Sequence, residues 1–319
     1  MKYSLAFTFL ALSLAKITDA LPTIHPGKRD VPSVAQILNV ALLVEHLESA
    51  FYQQALKRFP QSDFAAAGFP DWARGRFQQI SEHEETHATF LSTALTTAGA
   101  QAVAPCEYNF DFTDVQSFIH LCAVLEAVGT AAYIGGVQFV ENQDYINIAG
   151  SILAVEARHA DANLFPSPFC PSNESIAWIN SAMKHDNAWG TAFDAALTPS
   201  QVYTLAAPLI RSCPSSNADA LPALTAYPTL TVKDASPGKI ATVAFTAPAT
   251  STQLFVTFVS SVATPVLVPL HGNKVLVPDN LSGFVFCMIT KDGGLADDST
   301  TIAGPAILDF SHDSSGRAA

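Results

Sequence analysis

The feature that most constrains this chain is a pair of Glu-x-x-His steps, Glu84-Glu85-Thr86-His87 and Glu156-Ala157-Arg158-His159, each inside a long stretch of helical periodicity. At about 100° per residue, positions three apart share a helix face, so the carboxylate and imidazole of one step can reach a common point. One step alone is matched by the bland reading of a solvated charge pair. Two steps on alternate helices carry more, because the helices between them each place one glutamate in an apolar run: Glu45 ends Ala41-Leu42-Leu43-Val44-Glu45, and Glu126 lies in Cys122-Ala123-Val124-Leu125-Glu126-Ala127. A carboxylate buried among such neighbours is costly unless its charge is compensated. A bound cation compensates it.

A repeat lies behind this pattern. Tyr52 follows Glu45 by seven residues, and Tyr133 follows Glu126 by the same interval. Seven residues is nearly two helical turns, so each tyrosine is expected to stack over its own glutamate on the inward face. Each half then reads Glu…Tyr followed by Glu-x-x-His, and two such helix pairs gather six groups about a pseudo-twofold axis, as in dimetal carboxylate bundles. Carboxylates bridge hard cations, while two imidazoles favour iron or manganese over calcium or magnesium. The expected ligands of two iron or manganese ions are therefore Glu45, Glu84, His87, Glu126, Glu156 and His159. Tyr52 and Tyr133 are read as core aromatics hydrogen-bonded to ligands, with a redox role near a metal as the alternative. Glu48, one turn after Glu45, reads as a solvated residue or a substitute ligand. His46, Glu82, His83 and Glu85 read as helix surface, and Arg158 as the partner of a ligand carboxylate or of a surface charge.

Helical punctuation divides the first half. Ser33-Val34-Ala35-Gln36 has the form of a capping box and opens a helix to Arg58; Phe59-Pro60 and Gly68-Phe69-Pro70 break the pattern, and a second helix runs from Asp71 to about Ala98. Thr113-Asp114-Val115-Gln116 reads as a second box, opening a helix that ends at Gly135-Gly136; a fourth helix runs from Asp144 to Leu164, stopped by Pro166 and Pro168. The long spacer Gly99 to Phe112 suits a bundle with one crossover. Shorter helical pieces are expected at Ile176 to His185 and Pro199 to Ile210, the latter capped by Thr198. Beyond a Ser-, Pro- and Ala-rich stretch the character changes to short β-branched runs such as Ile240 to Phe245, Leu254 to Phe258 and Phe284 to Ile289. Separated by turn residues, these predict an antiparallel sandwich of about seven strands. The fold class is α+β multidomain: bundle at 31–211, linker at 212–227, sandwich at 228–311 and a polar tail at 312–319.

The first 20 residues read as a signal peptide, with Lys2, an apolar run from Leu5 to Ala15 and the small-residue pattern Thr18-Asp19-Ala20. Residues 21–30 read as a propeptide if Lys28-Arg29 is a processing site, and otherwise the basic pair stays uncut. The apolar run is short for a bilayer span, no later segment is expected to be long enough, and the polar C-terminus lacks a lipid-anchor signal. Secretion to the cell exterior or wall is the expected address. Five cysteines suit an oxidising compartment yet cannot all pair within one chain. Cys106, Cys170 and Cys213, in turn-like surroundings, are the disulfide candidates, and Cys122 in an apolar helix reads as a buried thiol. Asn173 and Asn280 begin glycosylation sequons. A formal charge of −12 without a basic run argues against a nucleic-acid partner. Phosphate-binding loops, nucleophile elbows and Cys-x-x-Cys pairs are absent from the sequence.

The segment Ala41 to Tyr52, together with Glu84, His87, Glu126, Glu156 and His159, resembles the secreted fungal ferritin-like proteins of the stress-response and late-sexual-development type, with plant desiccation-related proteins as relatives. The resemblance covers about Val31 to Pro214. It implies a ferritin-like bundle in which Glu45 and Glu126 are terminal ligands, Glu84 and Glu156 bridge, His87 and His159 complete the two metal positions, and the tyrosines stand behind the ligands. Such bundles include ferroxidases, oxygenases, catalases and proteins with no known reaction, so the resemblance does not fix the activity; the leading expectation is that the metal pair reacts with a small oxidant, peroxide or dioxygen. The alternative is a non-enzymatic metal-binding or structural protein whose β domain attaches to a cell-wall polymer or a protein partner.

Overall fold

The structure is a computed structural model that describes residues 31–162, 191–246, 253–262, 265–291 and 296–310. The expected signal peptide, the Lys28-Arg29 pair, Cys170, the Asn173 sequon, the helical piece Ile176 to His185 and the polar tail lie outside the described residues.

Four long helices form the N-terminal unit: α1 (Val34–Arg58), α3 (Ala73–Thr97), α4 (Val115–Val137) and α5 (Gln143–Ala162), with a short α2 (Gln61–Ala66) between the first two. The Ser33 hydroxyl accepts from Gln36 N–H while the Gln36 side chain accepts from Ser33 N–H, so α1 opens on the expected reciprocal cap. The expected box at Thr113 is displaced by one residue: Asp114 caps α4 and Ser117 returns the bond. A carboxylate is the stronger acceptor for helix N–H groups, and Asp114 takes the position from its neighbour. The break expected around Pro60 is itself helical in α2, which buries Phe64 against the α1–α3 end of the bundle.

α1 lies against α3 and α4, and α4 lies against α5. One end of the bundle is filled by interlocking rings, with Phe51, Phe59, Phe64, Phe77, Phe112 and Phe118 all buried. By length and composition α1 and α4 are apolar enough to cross a membrane, contrary to the expectation that no later segment is. In the fold both are mostly buried within the bundle, where their apolar residues become its core.

The spacer between α3 and α4 carries β1 (Glu107–Tyr108), which pairs antiparallel with β2 (Ile210–Ser212) and is locked beside it by a Cys106–Cys213 disulfide. Cys122 and Cys287 are buried thiols. A helix α6 (Pro199–Ala206), capped by Thr198 and Gln201 as the sequence indicates, leads to β2, and a short α7 (Asn217–Ala220) sits in the stretch that follows. Asn217 holds that stretch to the spacer through Ala104 N–H and Ala104 C=O.

Among the described residues seven strands then form the expected antiparallel sandwich. A three-stranded sheet, β3 (Thr231–Lys233), β4 (Ile240–Ala244) and β7 (Lys274–Leu276), faces a four-stranded one of order β6 (Val266–Pro269), β5 (Leu254–Val259), β8 (Gly283–Lys291), β9 (Thr301–Phe310). The two faces of β8 have different destinations. Val285, Cys287 and Ile289 enter the sandwich core, whereas Phe286 and Met288 meet Val44, Val128, Leu197 and Val202 of the helical unit. Its unbroken apolar run is thus a strand buried on both sides.

Candidate metal centre

Each helix of the bundle contributes to one interior point. α1 supplies Glu45, Glu48 and Tyr52; α3 supplies Glu84 and His87; α4 supplies Glu126 and Tyr133; α5 supplies Glu156 and His159. The four glutamates expected as ligands have no solvent exposure, and His159 is buried at 4%. The His87 side chain keeps 12% exposure, so this is the side on which the cluster approaches solvent.

The structure brings all six predicted residues together in two overlapping sets. Glu45, Glu84, His87 and Glu156 place one donor atom each within 4.8 Å of one another, and so do Glu84, Glu126, Glu156 and His159. Glu84 and Glu156 belong to both. His87 Nδ1 stands 3.2 Å from Glu45 Oε2, Glu84 Oε2 and Glu156 Oε1, while His159 Nδ1 stands 2.8 Å from Glu84 Oε1 and 3.5 Å from Glu126 Oε2. The His159 approach lacks hydrogen-bond alignment. Glu45 Oε2, Glu84 Oε1, Glu126 Oε2, both Glu156 oxygens and His159 Nδ1 are buried without a hydrogen-bond partner among the described residues. Orphaned anionic oxygens converging in a dry interior are what a bound cation satisfies, and the mixed carboxylate and imidazole donors suit a transition metal.

Electrostatics of the cluster reflect this crowding. Burial raises the Glu45 carboxyl to about 7, partly offset by its His87 contact, and burial together with the Glu84 charge drives Glu156 well above the usual carboxylate range. Burial likewise opposes ionisation of Glu84, but the two imidazoles outweigh it and hold that carboxyl at about 2. For His87, burial disfavours the cation, yet Glu156, Glu45 and Glu84 push it up to about 12; for His159 the same balance, through Glu126 and Glu84, gives about 9.

The tyrosines cross over. Tyr52 on α1 donates to Glu126 Oε1 on α4, and Tyr133 on α4 donates to Glu45 Oε1 on α1. The expected pairing of each tyrosine with the glutamate of its own helix is therefore corrected, because a phenol two turns away reaches across the interface more readily than back along its own axis. In both pairs Oε1 is taken by the phenol and Oε2 is left facing the centre.

Two residues outside the six reach the cluster, one from the surface as expected and one from the interior against its solvated reading. His83, though largely exposed, places Nδ1 3.0 Å from His159 Nε2 with the rings stacked at 5.2 Å. That contact depends on how closely α3 and α5 approach, which no spacing reveals. Glu48 is buried at 1%, and neither of its oxygens has a hydrogen-bond partner among the described residues. Its signal was present, since it stands three residues from Glu45 just as each histidine stands from its glutamate. Arg158 is exposed.

Comparison with known proteins agrees with this geometry. Residues 33–163 match the ferritin-like domain family. Over 204 residues the chain is 24% identical to protein rds1 of Schizosaccharomyces pombe, a match covering 62% of this chain and 44% of that protein. The chain thus spans less than half the length of this relative.

Proposed function

We propose, for a chain whose residues 33–163 match the ferritin-like domain family, that Glu45, Glu84, His87, Glu126, Glu156 and His159 hold a carboxylate-bridged pair of iron or manganese ions. The observation that carries this reading is the sharing of Glu84 and Glu156 between two four-residue donor sets, each with one terminal glutamate and one histidine. A bound pair of this kind supplies Lewis acidity and one-electron chemistry toward small oxidants, and peroxide or dioxygen is the substrate class we assign.

The protein's own residues prepare the site. Tyr52 and Tyr133 each tie down one oxygen of Glu126 and Glu45, which leaves the other turned inward where it would serve as a metal donor. His83 accepts the Nε2 proton of His159, fixing the tautomer whose Nδ1 is free to donate to a metal. The aromatic end of the bundle excludes water, and the partly exposed edge at His87 is the side from which a small oxidant enters. Export, glycosylation at the exposed Asn280 and a role in stress or development complete the reading; the Cys106–Cys213 disulfide supports the oxidising address.

Metal analysis of the purified protein tests it. About two ions per chain are expected, as in other carboxylate bundles, and they are lost in a Glu84→Ala, Glu156→Ala double variant; a metal-free wild type refutes the site. Peroxide consumption and Fe(II) oxidation by the loaded protein then test the chemistry. If both are absent, the second reading gains: a metal-stabilised protein that attaches to a wall polymer or protein partner through its β domain. One observation favours that reading, namely Ile240 and Leu276, directly opposed in register on β4 and β7 and exposed at 64% and 54%.

A further inference from the structure

We infer that Glu48 is a fifth carboxylate donor to the proposed metal pair, fitted into a gap that Gly129 leaves open on the opposing helix. α1 carries Glu45, Glu48 and Tyr52, and α4 carries Glu126, Gly129 and Tyr133 at the same spacing. The crossed tyrosine bonds show that these two triplets face each other across the centre. The first and third positions match in kind. At the second, one helix has a carboxylate and the other has no side chain.

Space explains the glycine. A Cβ on Gly129 would lie 2.8 Å from Glu48 Oε1 and 2.9 Å from Glu156 Oε2, closer than non-bonded atoms approach. Gly129 sits within the regular α4 helix, where glycine is disfavoured against alanine, so its value here is clearance. That clearance lets an oxygen of Glu48 and an oxygen of the shared Glu156 both border the space beside Gly129. Glu48 is buried at 1%, both of its oxygens are orphaned among the described residues, and no lysine or arginine among them forms an ion pair with the cluster. Without a metal, burial and the surrounding carboxylates keep such a group protonated, and a cation at the centre is what lets it ionise and donate. The pseudo-twofold is therefore broken by the sequence, and Glu48 gives one of the two positions an oxygen donor that the other lacks.

This inference rests on the metal pair proposed above, and the experiment separates the two. Mn(II), and Fe(II) without oxygen, are titrated calorimetrically into the full-length metal-free protein and into Glu48→Gln, which keeps the shape and removes the anionic donor. The variant is expected to lose at least tenfold in affinity for one ion while keeping the other, and to show a smaller metal-induced rise in melting temperature. Both affinities within twofold of wild type, with an equal rise, overturn the inference and leave the metal pair standing. A wild type that takes up neither ion overturns both. Should Glu48→Gln not fold, Glu48→Ala provides the second test: it too is expected to weaken one ion while keeping the other, and unchanged binding overturns the assignment.

Discussion

His159 shows how much of this site hangs on a residue outside the six donors. Its Nδ1 faces the cluster while its Nε2 stands 3.0 Å from His83 Nδ1, and groups that orient a metal-bound imidazole typically govern affinity by about 10–100-fold. His83→Ala is accordingly expected to weaken metal binding by about tenfold with little change in the stability of the metal-free fold; equal affinity in both proteins contradicts the role. Protonation gives a second expectation. In the absence of a metal the neighbouring carboxylates would hold His87 as a cation up to about 12, and burial would keep Glu45 partly protonated to about 7. Both must be proton-free to donate, so loading at neutral pH releases protons and affinity climbs as pH rises. Calorimetry in buffers of different ionisation enthalpy detects this, and a buffer-independent heat rules it out. The donors themselves were legible because an i, i+3 step survives in any helix. The destinations of Tyr52, Tyr133 and His83 were not, since each is decided by a neighbouring helix.

Among the elements, α4 is the most tightly constrained. Gly135 faces Leu197, whose N–H donates to Ala131 C=O, and a Cβ at 135 would lie 1.9 Å from the Leu197 carbonyl oxygen. The chain entering α6 thus rests directly on the α4 backbone. Gly135→Ala is expected to destabilise the fold by about 1–3 kcal/mol through overpacking, read as a lower urea midpoint with an unchanged slope; an unshifted midpoint shows that the segment can lift away freely. Gly135 was read in sequence as a helix stop, yet α4 continues to Val137 because contact rather than termination requires the glycine there. The reciprocal caps at Ser33 and Thr198 were readable in full, as their bonds are local. The shift from Thr113 to Asp114 reflects competition between adjacent acceptors, which composition alone does not rank.

At the scale of the whole molecule, the β sandwich is built onto the bundle. Phe286 and Met288 plug against α1 and α4, and Asp298 takes the hydroxyls of Thr198 at 2.5 Å and Ser200 at 2.9 Å at the start of α6. Asp298→Ala leaves those hydroxyls unanswered at a cost of about 1–3 kcal/mol; thermal unfolding at a lower temperature checks this, and an unaltered transition would show the clasp to be dispensable. Strand number and the division into helical and β parts could be read from the alternation of turns and apolar runs. The docking could not, because Phe286 and Met288 look the same in sequence whether they face a second sheet, a helix or water. The Cys106–Cys213 link closes a loop with a sequence separation of 107 that contains α4 and α5, and with them half of the donor residues. A protease that nicks the backbone anywhere inside that loop therefore leaves a single covalent particle, and its fragments part on a gel only after a reductant is added.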